Sequence, residues 1–321
     1  MSTTGSSNVK MRAWAIGAYG EAPRIIELPL PRPGPGDVLI RMHGAEVGEW
    51  DERVRKGEWK MERPFPLVLG LAGAGTVTSV GKDVTVFNED DPVYAYNYPL
   101  YNNGAWAQYM LVPETYAAPP PPNLELTRAG AVPAAALTMH EALLDVLDLR
   151  KDEVILITAA HGAIGHLAVQ FAKHIEARVV AITSHPNVEF VVALGADTVY
   201  DRIQQDLLKG IRTEYPKGVD KLLNCVDDPS ADELIWAVRD GGHILDLPGA
   251  ITARRTGVRI DSGHIPRGDG SRLELISDLI DGGILRVEVE PVNIIPFDQA
   301  PKALDRALTG QVPGMIPLKI R

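Results

Sequence analysis

Short strand-like runs separated by Gly- and Pro-rich segments fill the first third of the chain. Turn-forming residues are concentrated at 29–36 and at 119–122. The strand-like runs are residues 11–16, 37–42, 75–80 and 91–96. Short strands with frequent turn signals between them predict an antiparallel, barrel-like domain.

The pattern changes after residue 123, where strands and helices begin to alternate. The continuous apolar run at 153–158 is typical of a strand that is buried on both faces. The predicted strands are 153–158, 178–183, 221–226, 243–247 and 315–320, and the predicted helices are 129–147, 165–175, 186–194, 272–281 and 297–308. The β-α-β-α order predicts a parallel, doubly wound sheet.

Composition and charge narrow the range of partners. Of the 321 residues, 45% are hydrophobic and 23% are charged, which are ordinary values for a globular protein. A net charge of -10 argues against nucleic-acid or acidic-membrane partners, because these need a basic surface. No run approaches the roughly 20 apolar residues that span a bilayer, and the polar N-terminal residues do not resemble a signal peptide. We therefore expect a cytoplasmic enzyme that acts on a small molecule.

The turn after the strand at 153–158 carries the first chemical signal. Ala159, Gly162 and Gly165 occupy the three glycine positions of the dinucleotide-binding fingerprint, and Ala163 and Ile164 begin the following helix. Small residues at these positions let backbone N–H groups and a helix N-terminus approach a pyrophosphate. The alternative is an ordinary strand-to-helix turn that packs tightly and binds nothing.

The end of the next strand indicates which dinucleotide is preferred. An NAD site usually has an acidic residue there to hold the ribose hydroxyls, whereas this chain has Thr-Ser-His-Pro-Asn at 183–187. Ser184 can donate a hydrogen bond, and His185 and Arg202 can add positive charge near a 2′-phosphate. This favours NADPH; the alternative is a surface loop with no cofactor preference.

Several segments together resemble one known family. They are residues 33–40, 69–77, 104–113, 162–173, 194–197 and 239–244. In order and spacing they are similar to the medium-chain dehydrogenase/reductases, and among these to the zeta-crystallin-like quinone oxidoreductases. The resemblance implies a GroES-like β-barrel catalytic domain at 1–122, completed by 289–321, and a Rossmann cofactor-binding domain at 123–288. It also implies a cleft between the domains and a homodimer.

The same resemblance indicates that catalytic zinc is absent. The first zinc-ligand position of the related alcohol dehydrogenases falls on Gly48, and their His-Glu pair falls on Leu71 and Ala72. None of these side chains has a donor atom, and the only cysteine, Cys225, excludes both a disulfide within the chain and a cysteine-rich zinc lobe. Without a Lewis acid, reduction of a quinone or a conjugated carbonyl is easier than oxidation of an alcohol.

Candidate substrate contacts come from the first domain. Gly48 and Trp59 stand where the family usually has Asn and Tyr, so Trp59 either stacks on a flat substrate or only packs. Asp51 matches a family aspartate that we interpret as mainly structural. Tyr94, Tyr96 and Tyr98 share one face if their strand continues. They either line the substrate slot, where a tyrosine or water supplies the proton, or form a tyrosine-rich surface loop.

Candidate cofactor contacts in the second domain complete the site. Thr138 matches a family threonine near the nicotinamide ribose. Cys225, Leu247 and Pro248 follow buried strands at the expected cofactor edge, and we interpret Cys225 as a small packing residue, not a nucleophile.

The sequence thus predicts a zinc-independent, NADPH-dependent reductase of quinones or α,β-unsaturated carbonyls. A metal-free carbonyl or alcohol dehydrogenase is one alternative. Another is a reductase-like protein that has lost redox chemistry and works by binding or regulation.

Overall fold

Two sheets of mainly antiparallel strands build the N-terminal part of the molecule. The computed structural model describes residues 9–203, 206–228 and 230–321, so most of the polar N-terminal segment lies outside the described residues. The strands are β1 (Lys10–Ile16), β2 (Arg24–Pro29), β3 (Asp37–Val47), β4 (Leu67–Val68), β5 (Ala72–Val80), β6 (Pro92–Tyr96), β7 (Tyr109–Pro113) and β8 (Ala117–Ala118). The smaller sheet has the order β2-β1-β4.

Strand β3 is the centre of the larger sheet. It pairs with β5 along one edge, and β7 and the C-terminal strand β16 (Ile316–Lys319) share its other edge. β16 in turn pairs with β15 (Ile295–Pro296), so the end of the chain returns to the barrel sheet. Helix α1 (Glu49–Lys56) leaves β3 directly. The residues that connect β3 to α1 are therefore held at the barrel edge that faces the second domain.

The second domain is a parallel sheet with the order β11-β10-β9-β12-β13-β14. Its strands are β9 (Val154–Ile157), β10 (Arg178–Thr183), β11 (Thr198–Asp201), β12 (Val219–Asn224), β13 (Val238–Asp246) and β14 (Arg259–Ser262). Numbered by chain order, this arrangement is 3-2-1-4-5-6, which places a switch point between β9 and β12 at the carboxyl ends of the strands.

The helices of the second domain cover the sheet, and α9 accompanies the returning C-terminal segment. They are α2 (Leu126–Ala129), α3 (Pro133–Glu141), α4 (Ala163–His174), α5 (Val188–Ala193), α6 (Leu207–Glu214), α7 (Ala231–Leu234), α8 (Gly270–Asp281) and α9 (Ala300–Ala307). Half of the buried residues of α3 are alanines, which let it approach α4 closely. One apolar core runs from the barrel through α3 and α4 to the sheet.

The predicted elements are mostly present, with changes at their ends. The predicted helix at 129–147 is divided, because α2 ends at Ala129, Pro133 starts α3, and a π-helical turn follows from Ala142 to Val146. The predicted strand at 37–42 extends to Val47. No helix in the described part of the chain is long and apolar enough to cross a membrane.

Candidate active site

The turn between β9 and α4 has the backbone geometry of a phosphate-binding loop. Ala159 adopts a positive φ of 46°, the left-handed conformation that the first glycine of the fingerprint usually supplies. A Cβ on Gly165 would lie 2.3 Å from the Ala159 carbonyl oxygen, so this position requires glycine. Gly162 caps α4 and directs the helix N-terminus toward the space between the domains. The turn therefore offers unpaired N–H groups and a helix dipole to an anion.

His161 connects this turn to two other segments. Its Nδ1 lies 2.8 Å from the Thr183 hydroxyl and its Nε2 3.2 Å from the Gly310 carbonyl oxygen. Because a carbonyl only accepts, Nε2 carries the proton and the Thr183 hydroxyl donates to Nδ1. Burial lowers the pKa of His161, which favours this neutral form. His161 thus fixes the turn against β10 and the C-terminal segment.

A cavity of about 190 Å³, the inner cleft, lies between the barrel and the parallel sheet. Both domains and the C-terminal segment line it. The predicted residues that it brings together are Gly48, Trp59, Tyr96, Thr138, Ala159, Gly162, Ala163, Ile164, Gly165, Cys225, Leu247 and Pro248. The inner cleft is therefore where the predicted substrate and cofactor residues meet.

A larger cavity of about 1100 Å³, the outer groove, continues along the carboxyl ends of β9, β10 and β12. Ser184 and Arg202 line it, as does Lys209, a cation that the sequence interpretation missed. His185 does not line either cavity: its exposed ring lies 2.8 Å from the Asp201 carboxylate. Its predicted role in the phosphate site is therefore not supported by its position.

The three candidate tyrosines are placed differently. Tyr96 lines the inner cleft. The hydroxyl of Tyr94 is fully buried and donates to the Leu273 carbonyl at 2.5 Å, under α8 and away from the cleft. Tyr98 follows the end of β6 and stacks on Tyr96 with ring centroids 6.2 Å apart, also outside the cleft lining. Of the three rings only that of Tyr96 lines the cleft, so the positions of Tyr94 and Tyr98 do not support the proton-donor role predicted for them.

The glycine at position 48 is explained by a tryptophan that the sequence interpretation did not single out. A Cβ on Gly48 would lie 2.3 Å from the Trp50 ring, so Trp50 occupies the space of the missing side chain. Trp50 lines the inner cleft. Asp51 does not: it is fully buried, and its carboxylate accepts from the Gly48 N–H at 3.0 Å. The substrate contact predicted for Asp51 is thus replaced by support of the Gly48 backbone.

Arg53 holds the two domains together beside Trp59. Its guanidinium carbon lies 5.9 Å from the centre of the Trp59 ring. The same group donates to the Pro248 carbonyl at 3.1 Å and to the Asp227 carboxylate at 2.6 Å, both in the second domain. The half-buried Trp59 is thereby fixed at the cleft, where its flat face can border a substrate.

Cys225 and Thr138 are held by their surroundings. Burial raises the pKa of the Cys225 thiol to about 12, which agrees with a packing role and not with a nucleophile. The Thr138 hydroxyl donates to the Ala134 carbonyl at 2.7 Å within α3. Both residues line the cleft without offering an acidic group to it.

Comparisons with known proteins identify the family. Residues 34–122 match the alcohol dehydrogenase GroES-like domain, and residues 163–247 match the zinc-binding dehydrogenase domain. The chain is 32% identical over 254 residues to quinone-oxidoreductase QR1 of Triphysaria versicolor, with 74% of each chain covered. The chain belongs to the quinone oxidoreductase family.

Other members of the family and its wider superfamily cover nearly the whole chain. The NADPH-dependent alkenal/one oxidoreductase of Arabidopsis thaliana is 27% identical over 318 residues, covering 96% of this chain and 79% of the relative. The quinone oxidoreductase structure from Coxiella burnetii has a TM-score of 0.88 and 25% identity, covering 98% of this chain and 100% of that one. The predicted medium-chain reductase family, the GroES-like plus Rossmann fold and the oxidoreductase class are confirmed.

Proposed function

We propose that this quinone oxidoreductase family member is an NADPH-dependent, zinc-independent reductase. It transfers hydride to a quinone or an α,β-unsaturated carbonyl in the inner cleft. One observation carries the proposal: the glycine turn and the N-terminus of α4 open onto the same cavity as Trp50, Trp59 and Tyr96. The family membership favours this function over a protein that only binds.

The chain's own groups fit a dinucleotide. The outer groove and the inner cleft share Ala159, His161, Cys225 and Gly310 in their linings, so one extended ligand can occupy both. The volume of the outer groove, about 1100 Å³, is enough for the adenosine half of such a ligand. Gly162 has only one contact, at 3.3 Å, around its missing Cβ, which leaves room for a phosphate beside the turn. When bound, the dinucleotide supplies the hydride.

Preference for NADPH rests on the cations of the outer groove. Arg202 and Lys209 both line it and are exposed, so they are available to a 2′-phosphate. Carboxylates of Asp206 and Asp228 line the same groove, and they would repel a phosphate placed near them. The preference therefore depends on where Arg202 lies relative to the ribose.

Zinc independence rests on the donor set of the site. Gly48, Leu71 and Ala72 offer no ligand atoms at the positions of the zinc site in related dehydrogenases. Among residues 9–203, 206–228 and 230–321, no group of three His, Cys, Asp or Glu side chains is arranged to hold a metal ion. We expect elemental analysis to find no stoichiometric zinc and chelators to leave activity intact; about one zinc per chain would contradict this.

The walls of the cleft suit a flat, apolar acceptor. Trp50 and Trp59 offer indole faces, and Arg53 keeps the barrel side of the cleft joined to the second domain. Burial of the acceptor against these walls excludes water from the carbon that receives hydride. Negative charge then develops on the acceptor oxygen, so the site needs a proton donor.

The decisive experiment measures cofactor binding and turnover together. NADPH and NADH are titrated by fluorescence, and NADPH oxidation is followed with a simple quinone and a simple enone. Arg202→Ala should weaken NADPH binding about tenfold or more and leave NADH binding unchanged, since a charge-assisted hydrogen bond is worth roughly 1.5–3 kcal/mol. Lys302→Ala, which changes a cation paired with Gln299 outside both cavities, is the control. No turnover above background from pH 6 to 8 would refute the reductase and leave the binding-protein alternative.

Assembly and location stay predictions. We expect a homodimer, which light scattering would show as about twice the chain mass of 34.8 kDa; a monomer at micromolar concentration would contradict it. The expected cytoplasmic location is open to test by cell fractionation, because several of the relatives are chloroplastic by name.

A further inference from the structure

A histidine–carboxylate pair borders the inner cleft on the side of the parallel sheet. His264 lies in the loop between β14 and α8 and lines the cleft. Its Nε2 is 2.8 Å from Oε2 of Glu141, the last residue of α3. The two side chains are 25% and 16% exposed, so the pair is largely shielded from bulk water. Nothing in the sequence interpretation used either residue.

The partner fixes which ring nitrogen is available. An ionised carboxylate only accepts, so Nε2 of His264 carries a proton and donates it to Glu141. Within the described part of the chain, no group is hydrogen-bonded to Nδ1. When the ring is protonated, the Nδ1–H is therefore the donor that a molecule in the cleft can use. The contact with Glu141 keeps the ring in one orientation.

We propose that His264 is the proton donor of the reaction and that Glu141 is the residue that positions it. The inference rests on the proposed reductase function. Hydride from the nicotinamide dinucleotide forms the new C–H bond at the β-carbon of an enone, and the electron pair of the C=C bond moves to give an enolate. Nδ1–H of His264 then breaks as its proton passes to the enolate, which yields the saturated carbonyl compound. The neutral ring regains a proton from solvent, so each turnover consumes one dinucleotide hydride and one proton.

The other titratable groups of the cleft are less suited to this step. Burial, with added repulsion from Glu46, raises the pKa of Tyr96 well above its usual value, so its phenol gives up a proton reluctantly. His161 has both ring nitrogens engaged, and burial lowers its pKa. The Cys225 thiol has its pKa raised to about 12.

The remaining charged groups of the lining belong to α1. Arg53 is tied to the Asp227 carboxylate. Desolvation raises the pKa of the Glu49 carboxyl, but in the described part of the chain no hydrogen bond orients that side chain. His264 is the histidine of the described cleft lining that has a carboxylate on one nitrogen and an open position on the other.

The test compares His264→Gln with the wild-type enzyme across pH 5 to 9. Glutamine retains an N–H for Glu141 but has no titrating ring. We expect kcat for an enone to fall about 100-fold or more with NADPH affinity unchanged. We also expect kcat of the variant to depend less on pH than kcat of the wild type.

Glu141→Gln tests the positioning residue without altering His264. Loss of the carboxylate should lower kcat about tenfold or more with NADPH affinity unchanged, because the His264 ring is no longer held in one orientation. His243→Gln is the matched control, because His243 makes the same 2.8 Å contact with Asp261 on β14 but does not line the cleft. It should keep the wild-type profile.

The outcomes separate the two proposals. If wild type turns over and His264→Gln retains its kcat and pH profile, His264 is not the donor and the reductase function stands. If His264→Gln fails to fold, a wild-type kcat in Glu141→Gln refutes the role of the pair by itself. If wild type binds NADPH but reduces neither a quinone nor an enone, the reductase function fails and the donor role falls with it.

Discussion

Two glycines of the dinucleotide turn should respond differently to the same small substitution. In Gly165→Ala the new Cβ would lie 2.3 Å from the Ala159 carbonyl oxygen and 2.8 Å from the Ala160 Cα. Both are backbone atoms that no side-chain rotation can move. Overpacking of this kind costs about 1–3 kcal/mol, and a contact this short against backbone places the expected loss near 3 kcal/mol.

Gly162→Ala is the matched comparison three residues earlier. Gly162 has φ −74°, which alanine tolerates, and the nearest atom to its Cβ is the Ala159 oxygen at 3.3 Å. Alanine is a poorer helix cap than glycine, but it also reduces the entropy of the unfolded chain, so we expect a net stability change below about 1 kcal/mol. The added methyl group faces the inner cleft beside the N–H groups of α4, so NADPH should bind about tenfold or more weakly, which is 1.4 kcal/mol.

Urea unfolding and fluorescence titration of NADPH measure the two effects separately. We expect Gly165→Ala to be less stable than the wild type. We expect Gly162→Ala to be about as stable as the wild type but to bind NADPH more weakly. Wild-type stability in Gly165→Ala would show that the turn is not packed as described. Wild-type affinity in a folded Gly162→Ala would show that this turn does not hold the phosphates.

Three further predictions concern single groups. Burial raises the pKa of Asp51 to about 7, above the unfolded value of about 3.9, so its contribution to stability is complete below pH 4 and is lost as pH rises through 7. The melting temperature of Asp51→Asn relative to that of the wild type should therefore increase between pH 4 and pH 8. A difference in melting temperature that stays constant over this range would contradict the reasoning. The Cys225 thiol, with its pKa raised to about 12, should react slowly with a thiol reagent at pH 8 until urea unfolds the protein, so rapid labelling of the native protein would contradict the raised pKa. Ala159→Gly should keep NADPH affinity and change the free energy of unfolding by at most about 1 kcal/mol. Glycine removes the strain of an alanine in the left-handed conformation, but it also loses more conformational entropy on folding. A larger loss of stability in urea unfolding would contradict this.

The fold could be predicted because its signals are local. Strand β9 is apolar along its whole length. The turn after it has small residues at the positions where segments of backbone lie close together. Ala159 replaces the first glycine of the dinucleotide-binding fingerprint, yet it keeps the left-handed backbone conformation of that position. The order of strands and helices then limited the topology to one well-known arrangement.

The site was harder because its contacts join distant segments. Alternation along β6 indicated that Tyr94 and Tyr96 share a face, but not that α8 would cover Tyr94 while Tyr96 reaches the cleft. Glu141 and His264 are 123 residues apart, and no motif marks either of them. The pairing of the exposed His185 with Asp201 is equally invisible in a linear pattern.

The replacements at positions 48 and 59 are better explained by a change in the side chains that line the cleft than by loss of the active site. The resemblance implied Asn at position 48 and Tyr at position 59, two polar groups on the barrel side of the cleft. Gly48 is required here because the Trp50 ring lies where a side chain would begin, and Trp59 is fixed by Arg53, so the barrel wall has become aromatic. An aromatic wall holds a flat acceptor but supplies no acid, and Tyr96 is too deeply buried to be a ready one. We infer that the proton comes from the opposite side, where the loop after β14 places His264 against Glu141. Restoring polarity at Gly48 would accordingly displace Trp50 without recovering a donor, and activity should fall, not rise.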